Sequence, residues 1–185
     1  IASVTGYCNN LSIGAGAKIS IGNGDLNIAG NLTIYGEVEQ TNSNADIFVT
    51  GHIFWESGST ANIIAGEFHL DGNWEFREGA GGIVYFEGSA SYIYIRHYAR
   101  DCSFNNVYCN KSAGEVYFSS SSSDTLNING YLYIGTDDVF YSNTNYPLVL
   151  KGLFYNFGHL ECPYGTFIFD GSSHTINLNT GDYFN

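Results

Sequence analysis

The chain has 185 residues, 44% of them apolar, with 15 Tyr, 13 Phe, 2 Trp, 23 Gly, only 2 Pro, and a formal net charge of −12. Its six Lys plus Arg form no basic patch, so a polyanionic nucleic acid is repelled and excluded as a partner. No apolar run approaches the ~20 residues that a membrane-spanning helix needs, and the scarcity of i, i+3, i+4, i+7 patterns argues against helices altogether.

Tyr, Phe, Ile and Val suit pleated, half-buried surfaces, so the composition favours strands. Abundant Asn, Ser, Thr and Gly with few charges fit an extracellular or cell-surface protein. Residues 1–185 read as one domain, or as an excerpt of a longer repeat array, because Ile1 opens directly on a repeat-like phrase without a signal peptide.

In chain order the same phrases occur twice. Tyr7-Cys8-Asn9-Asn10 opens the first series, followed by LNIAGNLTIYG (26–36), NSNADIFVTG (42–51), GIVYFEGS (82–89) and YIYI (92–95). Ser103-Phe104-Asn105-Asn106 opens the second, followed by LNINGYLYIG (126–135), NTNYPLVLKG (143–152), GTFIFDGS (165–172) and TINL (175–178). A third opening begins at Tyr183. Two imperfect super-repeats, about 7–102 and 103–182, are therefore expected. Between Gly51 and Gly88 the first copy is longer than its counterpart by roughly one coil, a stretch that includes EFHLDGNWEF (67–76). A solenoid absorbs such an insertion as an extra rung.

Alternation within each run assigns faces. Leu26, Ile28, Leu32, Ile34, Val84, Phe86, Ile93, Ile95, Val116, Phe118, Phe167, Phe169, Ile176 and Leu178 are expected to point inward. Glycines after the strands (Gly30, Gly72, Gly88, Gly130, Gly171) are expected at sharp bends, often at positive φ. The expected fold is all-β: a parallel β-helix (β-solenoid) of about ten coils, a rod ~45–50 Å long at the ~4.8 Å strand spacing. The alternative is an antiparallel β-sandwich, since Asn129-Gly130 and Asp170-Gly171 between alternating runs are also hairpin signals.

The phrases GTFIFDGSSHTINL, FNNVYCNKSAGEVYF and LNINGYLYIG resemble the repeats of secreted bacterial right-handed parallel β-helix proteins, the surface and adhesin-like β-solenoids. The resemblance covers most of the chain. It implies a right-handed helix, secretion, and a structural or adhesive role, and it carries over no catalytic residue.

Candidate sites are few. The five histidines (52, 69, 97, 159 and 174) are never at metal-ligand spacing, no CxxC pair occurs, and Asp137-Asp138 reads as a solvated loop pair. No metal or cofactor is expected. Outward tyrosines stand between inward neighbours at Tyr85, Tyr94, Tyr108, Tyr117 and Tyr133, where amphipathic rings suit sugar stacking or a protein interface. Their alternative use is stacking along a sheet. Arg96, His97, Arg100 and Asp101 form one local charge cluster, read as a turn and a candidate partner contact. Cys8 and Cys109 replace apolar residues of the other copy and are expected in the core, too far apart to bridge. Cys102–Cys109 is the one plausible disulfide, and Cys162 is free or bonded to another subunit. Asn10, Asn31 and Asn110 match N-x-Ser/Thr.

The functional expectation is a non-enzymatic extracellular structural protein. It would be a stiff rod in a surface fibre or adhesin stalk, with itself as first partner through head-to-tail or lateral assembly. A glycan-binding adhesive module is the alternative. A carbohydrate-active β-helix enzyme comes third, because it needs converging carboxylates that the linear sequence does not assemble.

Overall fold

The computed structural model describes residues 5–77, 81–98, 102–111, 114–120, 125–142, 145, 147–171, 176 and 178–184, without the side chains of His97, Cys102, Ser120, Tyr183 and Phe184. The chain winds through short strands, each ended by a corner. The first coil comprises β1 (Gly6–Cys8), β2 (Leu11–Ile13) and β3 (Lys18–Ile21). The second comprises β4 (Leu26–Ile28), β5 (Leu32–Ile34) and β6 (Glu37–Gln40), and the third β7 (Ile47–Val49), β8 (Ile53–Trp55) and β9 (Thr60–Ile63). The fourth has β10 (Glu67–Leu70) and β11 (Trp74–Phe76). The fifth has β12 (Ile83–Phe86), β13 (Tyr92–His97) and β14 (Cys102–Phe104). The sixth has β15 (Asn106–Cys109), β16 (Gly114–Ser120) and β17 (Leu126–Ile128). The seventh has β18 (Leu132–Ile134), β19 (Asp138–Ser142) and β20 (Leu148–Leu150). The eighth has β21 (Phe154–Asn156), β22 (His159–Cys162) and β23 (Phe167–Phe169), before β24 (Tyr183–Phe184).

Each strand pairs in parallel with its counterpart one coil away. The first face is an eight-stranded sheet, β1-β4-β7-β10-β12-β15-β18-β21, and the second a nine-stranded sheet, β2-β5-β8-β11-β13-β16-β19-β22-β24. The third face is divided into β3-β6-β9 and β14-β17-β20-β23. This is a parallel β-solenoid, and the antiparallel sandwich is excluded. Leu26 and Leu32, which a hairpin would pair, pair instead with Ile47 and Ile53. Eight strands on the first face give seven rises, about 34 Å at the strand spacing. The stack is shorter than ten coils because each coil uses three strands.

The third face divides at the fourth coil, whose turn from Phe68 to Val84 takes only 16 residues. No strand lies between β11 and β12 among the described residues. Gly81 and Gly82 let the chain pass here. A Cβ on Gly81 would fall 2.5 Å from the Phe104 ring, and one on Gly82 would meet Ile63. Phe104 packs on Trp74 and Phe76 (ring centroids 5.2 and 5.0 Å), in the widest aromatic part of the core with Trp55 and Phe68.

Alternation in the sequence correctly assigns most of the core. Ile28, Leu32, Ile34, Val84, Phe86, Ile93, Ile95, Val116 and Phe118 are buried. Ile176 and Leu178 are not: they lie in no strand and are 44% and 57% exposed, because no rung covers them among the described residues.

The two super-repeats do not stack on one another. LNI at 26–28 is β4 on the first face, whereas LNI at 126–128 is β17 on the third. LTI at 32–34 lies on the second face and LYI at 132–134 on the first. The same displacement holds for Ile83–Phe86 against Phe167–Phe169. The second copy is thus turned back by one face, so the repeated unit is strand plus corner rather than a whole coil. The extra stretch of the first copy is β10 and β11, one added rung as expected.

Glycines at the corners answer to the neighbouring coil rather than to dihedral freedom. Gly30, Gly72, Gly88 and Gly130 are not among the positive-φ glycines. A Cβ on Gly72 would stand 2.0 Å from the carbonyl oxygen of Gly51, and one on Gly51 would stand 2.5 Å from that of Gly30. The corner between the first two faces is also held by a side-chain ladder. Asn31 N–H donates to Asn10 Oδ1 (2.8 Å), His52 N–H to Asn31 Oδ1 (2.9 Å), Asn73 N–H to His52 Nδ1 (2.9 Å) and Tyr94 N–H to Asn73 Oδ1 (2.9 Å). Asn10 and Asn31, two of the three N-x-Ser/Thr matches, therefore serve the corner.

Candidate functional site

Outward positions of the first face fall into one register column: Tyr7, Asn27, Phe48, His69, Tyr85, Tyr108, Tyr133 and Tyr155. From Phe48 onward every rung carries a ring. Centroids are 4.5 Å apart for Phe48–His69, 4.9 Å for His69–Tyr85, 4.3 Å for Tyr85–Tyr108 and 5.8 Å for Tyr108–Tyr133, the first three nearly parallel. A second column on the second face joins Tyr94, Tyr117 and Tyr141 at 5.5 and 4.6 Å. The five outward tyrosines thus divide between two faces, three (Tyr85, Tyr108, Tyr133) on one ladder and two (Tyr94, Tyr117) on the other.

This geometry limits what the rings can do. Parallel strands bring identical positions within one strand spacing, the distance at which aromatic rings stack offset. Interior rungs spend their π-faces on each other and turn edges and hydroxyls to solvent. Burial, with the carboxylates of Glu67 and Glu115 nearby, pushes the Tyr85 and Tyr117 hydroxyls well above the usual tyrosine range. A sugar that needs a ring face finds one only where the ladder is interrupted. That place is Asn27, which separates Tyr7 from Phe48 by two rungs. An open groove of 380 Å³ lies there, lined by Tyr7, Cys8, Asn9, Asn27, Phe48 and Thr50 among others, and Tyr7 is 80% exposed.

Midway along the ladder, His69 sits between the Phe48 and Tyr85 rings with carboxylates in its own plane. Its Nδ1 lies 3.0 Å from Glu87 Oε2 and its Nε2 3.4 Å from Glu67 Oε2. Tyr85 Oη donates to Glu67 Oε1 (3.3 Å), and Asp46 Oδ1 accepts the Glu67 N–H (3.0 Å). Linear spacing hides this convergence, because Asp46, Glu67 and Glu87 come from three successive coils.

The remaining expected site residues fare differently. Arg96 is in strand β13 rather than a turn. Its Nη1 pairs with Glu75 Oε1 at 2.8 Å and its guanidinium lies 4.8 Å from the Tyr94 ring, because in-register strands place it opposite Glu75. His97 ends the same strand, and Arg100 and Asp101 lie outside the described residues. Cys109 is a free, buried thiol between Phe86 and Ile134, so the Cys102–Cys109 disulfide is absent. Cys102 begins β14, whose neighbour is β17 on another face. Cys162 is likewise free and buried in the core, out of reach of another subunit. Asp138 is no solvated loop residue. It is fully buried and its Oδ2 accepts the Lys111 N–H (3.1 Å), while Lys111 Nζ donates to the carbonyls of Gly88 and Ala90. Burial raises the Asp138 carboxyl and lowers the Lys111 ammonium, so this polar knot clamps the corners of three coils from inside.

Compared with known proteins, the chain matches no family model, no curated protein and no solved structure. No helix among the described residues is long and apolar enough to cross a membrane.

Proposed function

We propose that the chain is a structural β-solenoid, a stiff extracellular rod belonging to a surface fibre or adhesin stalk. The observation that carries this reading is the aromatic ladder of the first face. Six consecutive rungs, Phe48 to Tyr155, devote outward side chains to one another along the rod axis. Each stacked pair adds about 0.5–1.5 kcal/mol beyond area burial, and the column resists bending because every rung bears on the next. In-register parallel edges also recruit further strands, so lengthwise assembly is the expected partner interaction. Electron microscopy of the purified chain at high concentration tests the proposal. Rods or filaments of uniform width support it, and discrete compact monomers at every concentration overturn it.

A second reading, glycan adhesion, is favoured by the groove at Asn27. Two rings flank one non-aromatic rung there, and the Asn27 and Asn9 side chains supply amide donors and acceptors. Asn27→Tyr would fill the gap and complete the ladder. Abolished binding on a glycan array would support this reading, and unchanged binding would sink it. The enzyme reading loses ground to the packing around His69, whose ring is covered on both faces.

A further inference from the structure

We propose that Asp46, Glu67 and His69 form a binding site for a divalent transition-metal ion of the zinc class, tying the third coil to the fourth. One donor atom from each of the three lies within 4.8 Å of the other two. His69 Nε2 and Glu67 Oε2 are 3.4 Å apart, which matches the ~3.4 Å edge of a tetrahedron with metal–ligand bonds of ~2.1 Å. Asp46 closes the set by a modest side-chain movement. Its Oδ1 is occupied by the Glu67 N–H, which leaves Oδ2 for the ion.

Three further features point to a cation rather than to a chance grouping. Glu87 faces Nδ1, the nitrogen away from Glu67. A carboxylate behind a ligating imidazole, fixing its tautomer and orientation, is the usual partner of a metal-bound histidine. The ring is already oriented by the Phe48 and Tyr85 faces, so little order remains to be imposed on binding. Charge is also uncompensated. Among the described residues, the ion pairs of Lys18, Arg77 and Arg96 go to Glu37, Glu39, Glu56 and Glu75, and none reaches Asp46, Glu67 or Glu87. Two carboxylates and one imidazole leave at least one coordination position for water and suit zinc, cobalt or nickel over calcium.

The ion would bridge a corner residue of one coil and strand residues of the next. Binding to the folded chain alone then raises its melting temperature. The test is titration with zinc chloride, by calorimetry and by thermal melting, in a buffer that does not chelate. One equivalent should bind, with a rise in melting temperature. His69→Phe keeps a ring in the ladder and removes the ligand, and should weaken binding at least about 100-fold and abolish the rise. Glu67→Gln should do the same, and serves if His69→Phe melts without cooperativity. Glu87→Gln should weaken binding by about 10–100-fold, and His159→Phe should leave it unchanged. Absence of binding at millimolar zinc overturns the proposal. So does zinc binding that His69→Phe and Glu67→Gln leave at wild-type strength.

Discussion

At the corners a single methyl group decides whether two coils can approach. Gly72 stands against the Gly51 carbonyl, whereas Gly22 has nothing within 4 Å of a would-be Cβ. Gly72→Ala should therefore destabilise the fold by about 2 kcal/mol or more, the range of overpacked sites, while Gly22→Ala stays within about 0.5 kcal/mol of wild type. Urea titration of the two variants checks the difference. The buried thiols give a pH signature. Burial pushes Cys162 up to about 12 and Cys109 well above the usual thiol range. Between an unfolded value of about 8.5 and the folded value, the native state holds protons that the unfolded state has released. Stability then falls as pH rises through that window, by up to about 1.4 kcal/mol per pH unit for each thiol. Denaturation at pH 8 and pH 9.5 should show the decline, and Cys162→Ala should flatten it. An alkaline slope unchanged in Cys162→Ala would contradict the burial of that thiol.

Among the elements, the outward ladders were half legible. Alternation marks Tyr85, Tyr108 and Tyr133 as outward, and it marks Phe48 in IFV and His69 in FHL just as well. What it cannot supply is which strand lies above which. The turn length changes from 21 residues (Leu26 to Ile47) to 16 (Phe68 to Val84) and 25 (Val107 to Leu132), so no constant offset reveals the column. For the same reason the super-repeat misleads: similar letters mark equivalent strand–corner units, and the short fourth coil shifts the second copy by a face. Coil count failed because strand length, not phrase length, sets the number of faces. The His69 cluster was illegible because its members become neighbours only through stacking. The ladder's contribution is measurable at Tyr108, stacked on Tyr85 and Tyr133. Tyr108→Phe keeps both stacks and should cost less than about 0.5 kcal/mol. Tyr108→Ala loses both and should cost about 1–3 kcal/mol. Equal stability of the two variants would remove the ladder as a source of stiffness.

For the molecule as a whole, core, corners and ladders share one requirement: each coil must lie on its neighbour in register. The internal wall of Ile, Leu, Val, Phe and Trp is continuous across coils, so no single coil can bury its own apolar face. The corner hydrogen bonds run from backbone donors of one coil to side-chain acceptors of the adjacent coil. A rod made this way gains stiffness from the same contacts that hold it folded. Nuclear Overhauser contacts on an isotope-labelled chain probe that arrangement directly. The structure predicts contacts from Tyr85 to both His69 and Tyr108, and from Leu32 to Ile53. Contacts joining Leu26 to Leu32 across Gly30 as antiparallel partners, with none between Leu32 and Ile53, would contradict it.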